Sequence, residues 1–139
     1  MDLTPLEAVR RYYQSLEPGH RADLMDLLDP HFALELPPGL VGCSATYHGL
    51  KEYIQDFLFA FYGYFDVQLI PEEFVASGER VVAMGRMEGQ ALPRGTPVSV
   101  AFAHAWTVRR GVIIHCRMYA DTAILCQALS GDRSRVATK

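Results

Sequence analysis

The chain has 139 residues, of which 50% are hydrophobic and 21% are charged, and its formal net charge is −3. This composition excludes an intrinsically disordered chain, which needs low hydrophobicity and high net charge. The length fits one domain with one hydrophobic core. The acidic balance, without a basic stripe, argues against a nucleic-acid partner, because such binding depends on Lys and Arg at phosphates.

The cysteines and the N-terminal segment bear on the compartment. Cys43, Cys116 and Cys126 are odd in number and widely spaced. They form no zinc-binding spacing, and reduced thiols are the expected state. The N-terminus lacks the apolar core of a signal peptide, and the longest apolar run, residues 57–65, is far shorter than the ~20 residues of a membrane span. We therefore predict a cytoplasmic protein without a membrane partner.

Two helices are predicted at the N-terminal end. Thr4 can cap the first helix, and Glu7 completes a capping box with it. This helix ends before Pro18, which is followed by glycine. A second, short helix with an inward leucine face ends at Asp29, because the residue before Pro30 is pushed out of the α region.

A short strand and a third helix come next. Phe32–Leu36 is predicted as a strand, and residues 37–48 are predicted as a loop. Gly49 opens the third helix and Gly63 ends it. This helix has the clearest amphipathic stripe of the chain, with apolar residues at helical spacing: Leu50, Tyr53, Ile54, Phe57, Leu58 and Phe61.

After the third helix the hydrophobic period changes to two. It predicts four strands separated by turns, over residues 64–76, 79–90, 97–109 and 112–120. A closing helix is predicted at residues 121–129, and a disordered tail at residues 130–139. Helices followed by strands in hairpins are typical of an α+β fold with a mostly antiparallel sheet, one face of which the helices cover. We therefore expect a single α+β domain over residues 1–129.

The strand at residues 97–109 carries the main candidate for chemistry. Its side chains alternate between two faces, so His104 points the same way as Phe102 and Trp106. A histidine buried among apolar groups has a lowered pKa, and the neutral imidazole can act as a base or as a hydrogen-bond donor. The alternative is a core histidine that a backbone carbonyl or a water satisfies. The opposite face is small and flat: Ser99, Ala101, Ala103 and Ala105.

Two further side chains are candidates beside His104. The hydroxyl of Tyr12, on the first helix, can donate a hydrogen bond into an apolar pocket, although packing alone also explains an amphipathic tyrosine. Asp121 follows the last strand, where it can orient the histidine or cap the closing helix. The sequence has no HxH or HxxxH pair and no glycine-rich phosphate loop. We therefore predict no metal site and no cofactor.

Four segments carry a family resemblance: RYYQSL in the first helix, YHGLKEYIQDF at the third, and FAHAWTVRRG and RMYADTA towards the end. Over residues 4–129 the chain resembles the SnoaL-like branch of the nuclear-transport-factor-2-like superfamily, which includes ketosteroid isomerase. The resemblance implies a cystatin-like cone with the element order α-α-β-α-β-β-β-β, in which a curved sheet wraps a pocket that helices close. It also implies a homodimer through the outer sheet face, because such dimers are frequent in the superfamily.

The resemblance places family positions on this chain one by one. The helix tyrosine of ketosteroid isomerase falls on Tyr12, its protonated aspartate on His104 and its aspartate base on Leu36. The histidine of SnoaL-type polyketide cyclases also matches His104, and their aspartate falls on Met118. An apolar side chain therefore stands at two positions where relatives have a carboxylate.

We expect a small apolar or aromatic organic ligand in a pocket beside these residues. The predicted catalytic residues are His104, Asp121 and Tyr12. The side chains expected to contact the ligand are Phe102, Trp106, Met87, Met118, Phe57 and Tyr53. Cofactor-free chemistry of the isomerase or cyclase type, with proton transfer by His104, is the leading hypothesis. The alternatives are a non-catalytic binder of a hydrophobic metabolite and a dimeric scaffold protein.

Overall fold

The computed structural model describes three stretches of the chain: residues 2–40, 43 and 45–130. Helix α1 spans Pro5–Ser15 and begins at the predicted capping box. The Thr4 N–H donates to Glu7 Oε1 at 2.8 Å, and the Glu7 N–H donates to Thr4 Oγ1 at 3.1 Å. These bonds satisfy N–H groups that have no partner within the helix, and they fix where α1 starts.

The segment after α1 differs in part from the prediction. A 3₁₀ turn, Arg21–Asp23, leads into the one-turn helix α2, Leu24–Leu27. Strand β1 then spans Leu28–Glu35, so it begins earlier than predicted and contains Pro30. The pairing of β1 with its parallel neighbour is interrupted around this proline. A residue without an N–H is tolerated at such an irregularity.

A short edge strand lies where the sequence predicts a loop. Strand β2, Thr46–His48, pairs antiparallel with β1. Three residues are too few for a period of two to be recognised in the sequence. The predicted element order is therefore wrong by one strand.

The third predicted helix is present, but its winding changes along its length. It consists of α3, Leu50–Glu52, a π-helical stretch, Tyr53–Leu58, and α4, Phe59–Tyr64, which follow one another directly. The apolar stripe faces inward, and the rings of Phe57 and Phe61 stack with centroids 5.6 Å apart. Short π-helical stretches often occur at functional sites.

Four long strands and a last helix complete the fold. The strands are β3, Phe65–Ser77, β4, Arg80–Ala91, β5, Thr96–Arg109, and β6, Val112–Ala120. Helix α5 spans Thr122–Ser130. The sheet order is β2-β1-β6-β5-β4-β3, antiparallel except for the parallel pair of β1 and β6. The predicted α+β class is confirmed, and residues 131–139 of the predicted tail lie outside the described residues.

Strands β3 and β4 approach each other closely at two glycines. A Cβ atom at Gly85 would lie 2.1 Å from the Ile70 carbonyl oxygen, and one at Gly89 would lie 2.1 Å from that of Asp66. The pairing of β3 with β4 also shifts by one residue around Glu72. Such a bulge bends a strand, and glycines in the partner strand give it room. This irregularity contributes to the curvature of the sheet.

The core lies between the sheet and the helices. Along β5 the even-numbered residues from Thr96 to Val108 are all buried, as the alternation predicts. Facing β4 residues such as Val81 and Ala83 are buried as well. The largest fully buried side chains are mostly aromatic and include Trp106, Tyr12, Tyr53, Phe32 and Phe65.

Candidate functional site

A cavity of about 50 Å³ lies between the inner face of the sheet and the helices. We name it the inner cavity. In the part of the chain that the structure describes, its lining is apolar and aromatic, with one histidine and without Asp, Glu, Lys or Arg. The lining residues are Tyr12, Leu16, Leu36, Pro37, Leu40, Phe57, Leu58, Phe61, Tyr62, Leu69, Met87, His104, Met118, Tyr119, Ala120 and Leu125.

His104 lies in the middle of β5 and is only 3% exposed. Its Nδ1 atom is 2.6 Å from the hydroxyl oxygen of Tyr13 on α1. The planes of the two rings differ by 7°, and their centroids are 5.8 Å apart. Trp106, on the same face of β5, donates its Nε1–H to the same hydroxyl oxygen at 3.1 Å. We name this arrangement the Trp106–Tyr13–His104 chain.

The Trp106–Tyr13–His104 chain fixes the tautomer of the histidine. A tyrosine hydroxyl has one proton to donate, and the oxygen of Tyr13 already accepts from Trp106. Nδ1 of His104 is the acceptor that lies at hydrogen-bond distance from this hydroxyl, so we infer that Nδ1 accepts and that the ring proton resides on Nε2. Burial lowers the pKa of His104 to about 3, which keeps the ring neutral at physiological pH.

His104 lines the inner cavity and Tyr13 does not. The ring nitrogen that Tyr13 leaves without a partner is Nε2, so we infer that this nitrogen is the one a ligand in the cavity can reach. Within the described residues, the hydrogen bond of this ring is the one to Tyr13. A neutral donor is therefore free to bind an acceptor atom of a ligand.

A second pair of hydroxyls is buried beside the cavity. Tyr12 and Tyr53 are hydrogen-bonded through their hydroxyl groups, and both are almost fully buried, but only Tyr12 lines the inner cavity. Two hydroxyls that share one hydrogen bond keep one proton free, and a buried proton without an acceptor is costly. Either hydroxyl can donate this bond, and the Tyr12 proton is available to the cavity when Tyr53 donates. Burial raises the pKa of both tyrosines, so both remain protonated.

Asp121 lies at the start of α5. Its Oδ1 accepts the backbone N–H of Ala123 at 3.0 Å and that of Ile124 at 3.2 Å. This is the capping role, one of the two that the sequence allows. The carboxylate makes no hydrogen bond to His104, and the residue opposite His104 on β6 is Met118. The structure therefore brings Tyr12 and His104 to one cavity but does not bring Asp121 there.

The residues predicted to contact a ligand fall into two groups. Three line the inner cavity: Met87, Met118 and Phe57. Three are buried outside its lining: Phe102, Trp106 and Tyr53. The second group supports the polar residues, since Phe102 stacks on His104 with centroids 4.3 Å apart and the other two hydrogen-bond to the tyrosines of α1.

Tyr13 is the site residue that the sequence pattern does not single out. Helix α1 has two adjacent inward tyrosines, and nothing in their spacing tells which one meets His104. The sequence of β5 does indicate that a polar partner is needed. An imidazole and an indole N–H stand two residues apart on a buried face, and both require hydrogen-bond partners. A tyrosine on the covering helix can serve both, and Tyr13 does so.

A family model described as a SnoaL-like domain matches residues 9–116. The chain belongs to the SnoaL-like family. The six-stranded sheet and the helices on its inner face agree with the fold expected of a SnoaL-like protein. No curated protein matches the chain.

Solved structures are similar over nearly the whole SnoaL-like chain. An NTF2-like protein of unknown function from Burkholderia pseudomallei K96243 is 28% identical with a TM-score of 0.80, covering 91% of this chain and 97% of that one. TerC, co-crystallised with polyporic acid, is 26% identical with a TM-score of 0.81, covering 91% and 99%. A protein from Jannaschia sp. CCS1, assigned as a SnoaL-like polyketide cyclase, is 21% identical with a TM-score of 0.78, covering 94% and 97%. At that last identity the likeness shows the fold alone.

Membrane, metal and disulfide features can be stated for the described residues of this SnoaL-like chain. Between residues 2 and 130, outside the gaps given above, no helix has the length and apolarity needed to cross a bilayer. In the same part of the chain, no three His, Cys, Asp or Glu side chains form a group that could hold a metal ion. Cys43, Cys116 and Cys126 are free thiols.

Proposed function

We propose that this SnoaL-like protein binds a small, largely apolar organic molecule with a carbonyl oxygen and catalyses its isomerisation or cyclisation without a cofactor. The observation that carries the proposal is the Trp106–Tyr13–His104 chain beside an apolar cavity, because it engages Nδ1 of His104 and leaves Nε2 for a ligand. A donor aimed at a carbonyl oxygen in such surroundings stabilises the negative charge that develops there in the transition state. The hydroxyl of Tyr12 is a second donor in the same cavity.

The pKa of His104 favours the role of donor over that of base. A ring with a pKa of about 3 accepts a proton poorly at neutral pH. No carboxylate is among the described residues that line the cavity. The hydrogen removed from the substrate therefore passes to water or to another group of the substrate, which suits carbon acids already activated by carbonyl or aromatic groups.

The nature of the ligand follows from the cavity walls. Aliphatic and aromatic side chains exclude a charged molecule, because a buried charge without a partner is strongly unfavourable. TerC, a structural neighbour, was co-crystallised with polyporic acid, which supports an organic ligand for a chain of this fold. The proposed ligand is accordingly apolar or aromatic, with its oxygen at His104.

A non-catalytic binder of a hydrophobic metabolite is the second candidate. Leu36 and Met118 line the cavity at positions where the resemblance expects carboxylates. Apolar walls at both positions favour a ligand that is held without reaction. The two candidates differ in one observable, because a binder returns its ligand unchanged and an enzyme converts it.

We also propose a homodimer through the outer sheet face and a cytoplasmic location. The outer face of β5 is small and flat, which suits close packing against a second sheet. Three free thiols suit a reducing compartment. A scaffold role would need this dimer and no ligand, so ligand binding separates the scaffold from the two other candidates.

Infrared spectroscopy of bound para-methoxyacetophenone tests the donor role. A hydrogen bond to the carbonyl oxygen lowers its stretching frequency. We expect a lower frequency in the wild type and in His104→Gln, whose amide can donate, than in His104→Phe, with the surface variant Tyr64→Phe as a control. An equal frequency in the wild type and in His104→Phe contradicts the proposal.

Deuterium exchange of the acetyl hydrogens of the same probe tests catalysis. We expect the wild type to accelerate exchange over buffer and His104→Phe to slow it about a hundredfold, the lower end of what one such group supplies. Binding without any acceleration supports the non-catalytic binder instead.

A further inference from the structure

A second hollow lies beyond one wall of the inner cavity. This outer hollow, of about 350 Å³, opens between the end of α1 and the start of β3. Leu16, Tyr62 and Leu69 line both spaces. The two spaces are therefore neighbours that share these three residues as a common wall.

The inner cavity by itself is small for the ligand proposed above. Its volume is about 50 Å³, whereas an engineered apolar cavity that binds benzene has about 150 Å³. Sites for larger organic molecules span roughly 300–1,000 Å³. A ligand of that size with one end at His104 therefore extends beyond the inner cavity, and the outer hollow is the neighbouring space across the shared wall.

Tyr62 is the aromatic residue of the shared wall. It lies on α4, and the guanidinium carbon of Arg21 lies 4.5 Å from the centre of its ring. Arg21 is exposed and forms no ion pair within the described residues. Because Arg21 is exposed, a rotation of the Tyr62 ring would displace a solvated side chain and no element of the fold.

The acidic side chains of the outer hollow are in part already paired. Asp66 accepts a hydrogen bond from Gln90 at 3.3 Å. Glu88 forms an ion pair with Arg86 at 3.7 Å. These two carboxylates leave little net charge for a ligand to meet.

Three further polar groups of the outer hollow form no side-chain hydrogen bond or ion pair within the described residues, and their charges cancel. They are the carboxylate of Glu17, the guanidinium of Arg21 and the amide of Gln68. Hydroxyl groups both donate and accept, so a hydroxylated group can use all three. A carboxylate would face Glu17, and an ammonium group would face Arg21.

We propose that the outer hollow is a second binding subsite, which takes an uncharged, hydroxyl-bearing group of an elongated ligand whose apolar, carbonyl-bearing end lies at His104. The proposal rests on the proposed function, since it extends the same ligand outward. Leu16, Tyr62 and Leu69 form the passage, and Glu17 and Arg21 bind the hydroxyl groups.

Calorimetry with three para-substituted acetophenones tests the subsite: the methyl ether, the β-glucoside and the carboxymethyl ether. We expect the glucoside to bind about tenfold more tightly than the methyl ether, and the carboxymethyl ether to gain nothing. Glu17→Ala and Arg21→Ala are expected to remove the advantage of the glucoside and to leave the Kd of the methyl ether within about twofold. Asp56→Ala, a charge removal elsewhere on the surface, is the control and should change neither value.

The outcomes separate the subsite from the proposed function. Equal affinity of the glucoside and the methyl ether overturns the subsite, as does an advantage that persists in both variants. In either case a carbonyl frequency that depends on His104 leaves the proposed function standing. The proposed function fails if no probe binds, or if the carbonyl stretching frequency of the bound probe is the same in the wild type and in His104→Phe. The subsite then fails with it.

Discussion

The tautomer of His104 depends on a tyrosine hydroxyl that does not line the cavity. The oxygen of Tyr13 accepts the Trp106 N–H, and accepting a second N–H from Nδ1 would leave the Tyr13 proton buried without an acceptor, which is costly. Donation by Tyr13 to Nδ1 satisfies all three groups. The cavity is therefore presented with a hydrogen-bond donor in place of an acceptor.

Tyr13→Phe tests how much this hydroxyl contributes to the stability of the fold. The substitution leaves Nδ1 of His104 and the N–H of Trp106 buried without partners, and each such group costs about 1–3 kcal/mol. We expect the free energy of unfolding, measured by urea denaturation, to fall by about 2 kcal/mol or more. Tyr64→Phe, at a tyrosine with 39% exposure, should change it by less than about 0.5 kcal/mol. A Tyr13→Phe value as small as that of the control contradicts the hydrogen-bond chain.

The buried imidazole also sets a pH dependence of stability. The pKa of His104 is lowered from 6.5 to about 3 on folding, so between these values the unfolded chain binds a proton that the folded chain does not. The contribution of neutral His104 is complete above pH 6.5 and is lost as the pH falls towards 3, with a slope of up to about 1.4 kcal/mol per pH unit.

His104→Gln isolates this contribution. Glutamine does not titrate, so the variant should lose less stability than the wild type on acidification. We expect the difference in unfolding free energy between wild type and variant to shrink steadily from about pH 7 to about pH 4.5. A difference that stays constant over this range means that His104 titrates alike in both states.

Among the elements, β5 could be predicted almost completely and β2 could not. Strand β5 is central and long, so its burial alternates over its whole length and the sequence carries a clear period. Strand β2 has three residues and takes its place only by pairing with β1. The π-helical stretch was also out of reach, because its winding leaves the apolar stripe of the helix intact.

For the candidate site, the sequence predicts which face of its strand or helix each residue occupies, but not which hydrogen bonds it makes. The inward direction of His104 and Tyr12 follows from the periods of β5 and α1. The hydrogen bond of Tyr13 does not, because it depends on how α1 crosses β5. The two roles of Asp121 could not be separated either, since its position fits both and only the hydrogen bonds of α5 show the cap.

Gly85→Ala tests the close approach of β3 and β4. The added methyl group would meet the Ile70 carbonyl oxygen at 2.1 Å, and backbone cannot move aside cheaply. We expect a loss of about 2 kcal/mol or more in urea denaturation. Gly63→Ala, where nothing lies within 4 Å, is the matched control and should be neutral or stabilising by up to about 1 kcal/mol. Similar effects of the two substitutions contradict the tight packing of these strands.

At the scale of the molecule, many of the hydrophobic residues form two opposed surfaces around one cavity. The inner sheet face and the stripe of the long helix both point to it, and their largest side chains leave only a small space beside His104. The same apolar residues replace the carboxylates that the resemblance expects. The fold is therefore easy to recognise from the sequence, and the activity depends on a few polar groups.

The proposed homodimer is also a property of the whole molecule. Ala101→Arg places a long charged side chain on the flat outer face of β5, so we expect the wild type to be dimeric and the variant to be monomeric by light scattering after size exclusion. Gln55→Arg, on an exposed position of the helical layer, should leave the mass unchanged. A monomeric wild type contradicts the dimer.

Nitrogen NMR of protein labelled at its histidines tests the central claim most directly. The account predicts one histidine whose Nδ1 is unprotonated and whose Nε2 carries the proton, unchanged from neutral pH to about pH 5, because the pKa lies near 3. In Tyr13→Phe this signal should lose its fixed tautomer. A His104 signal that shows the proton on Nδ1, or that titrates near its ordinary pKa of 6.5, contradicts the donor at the inner cavity.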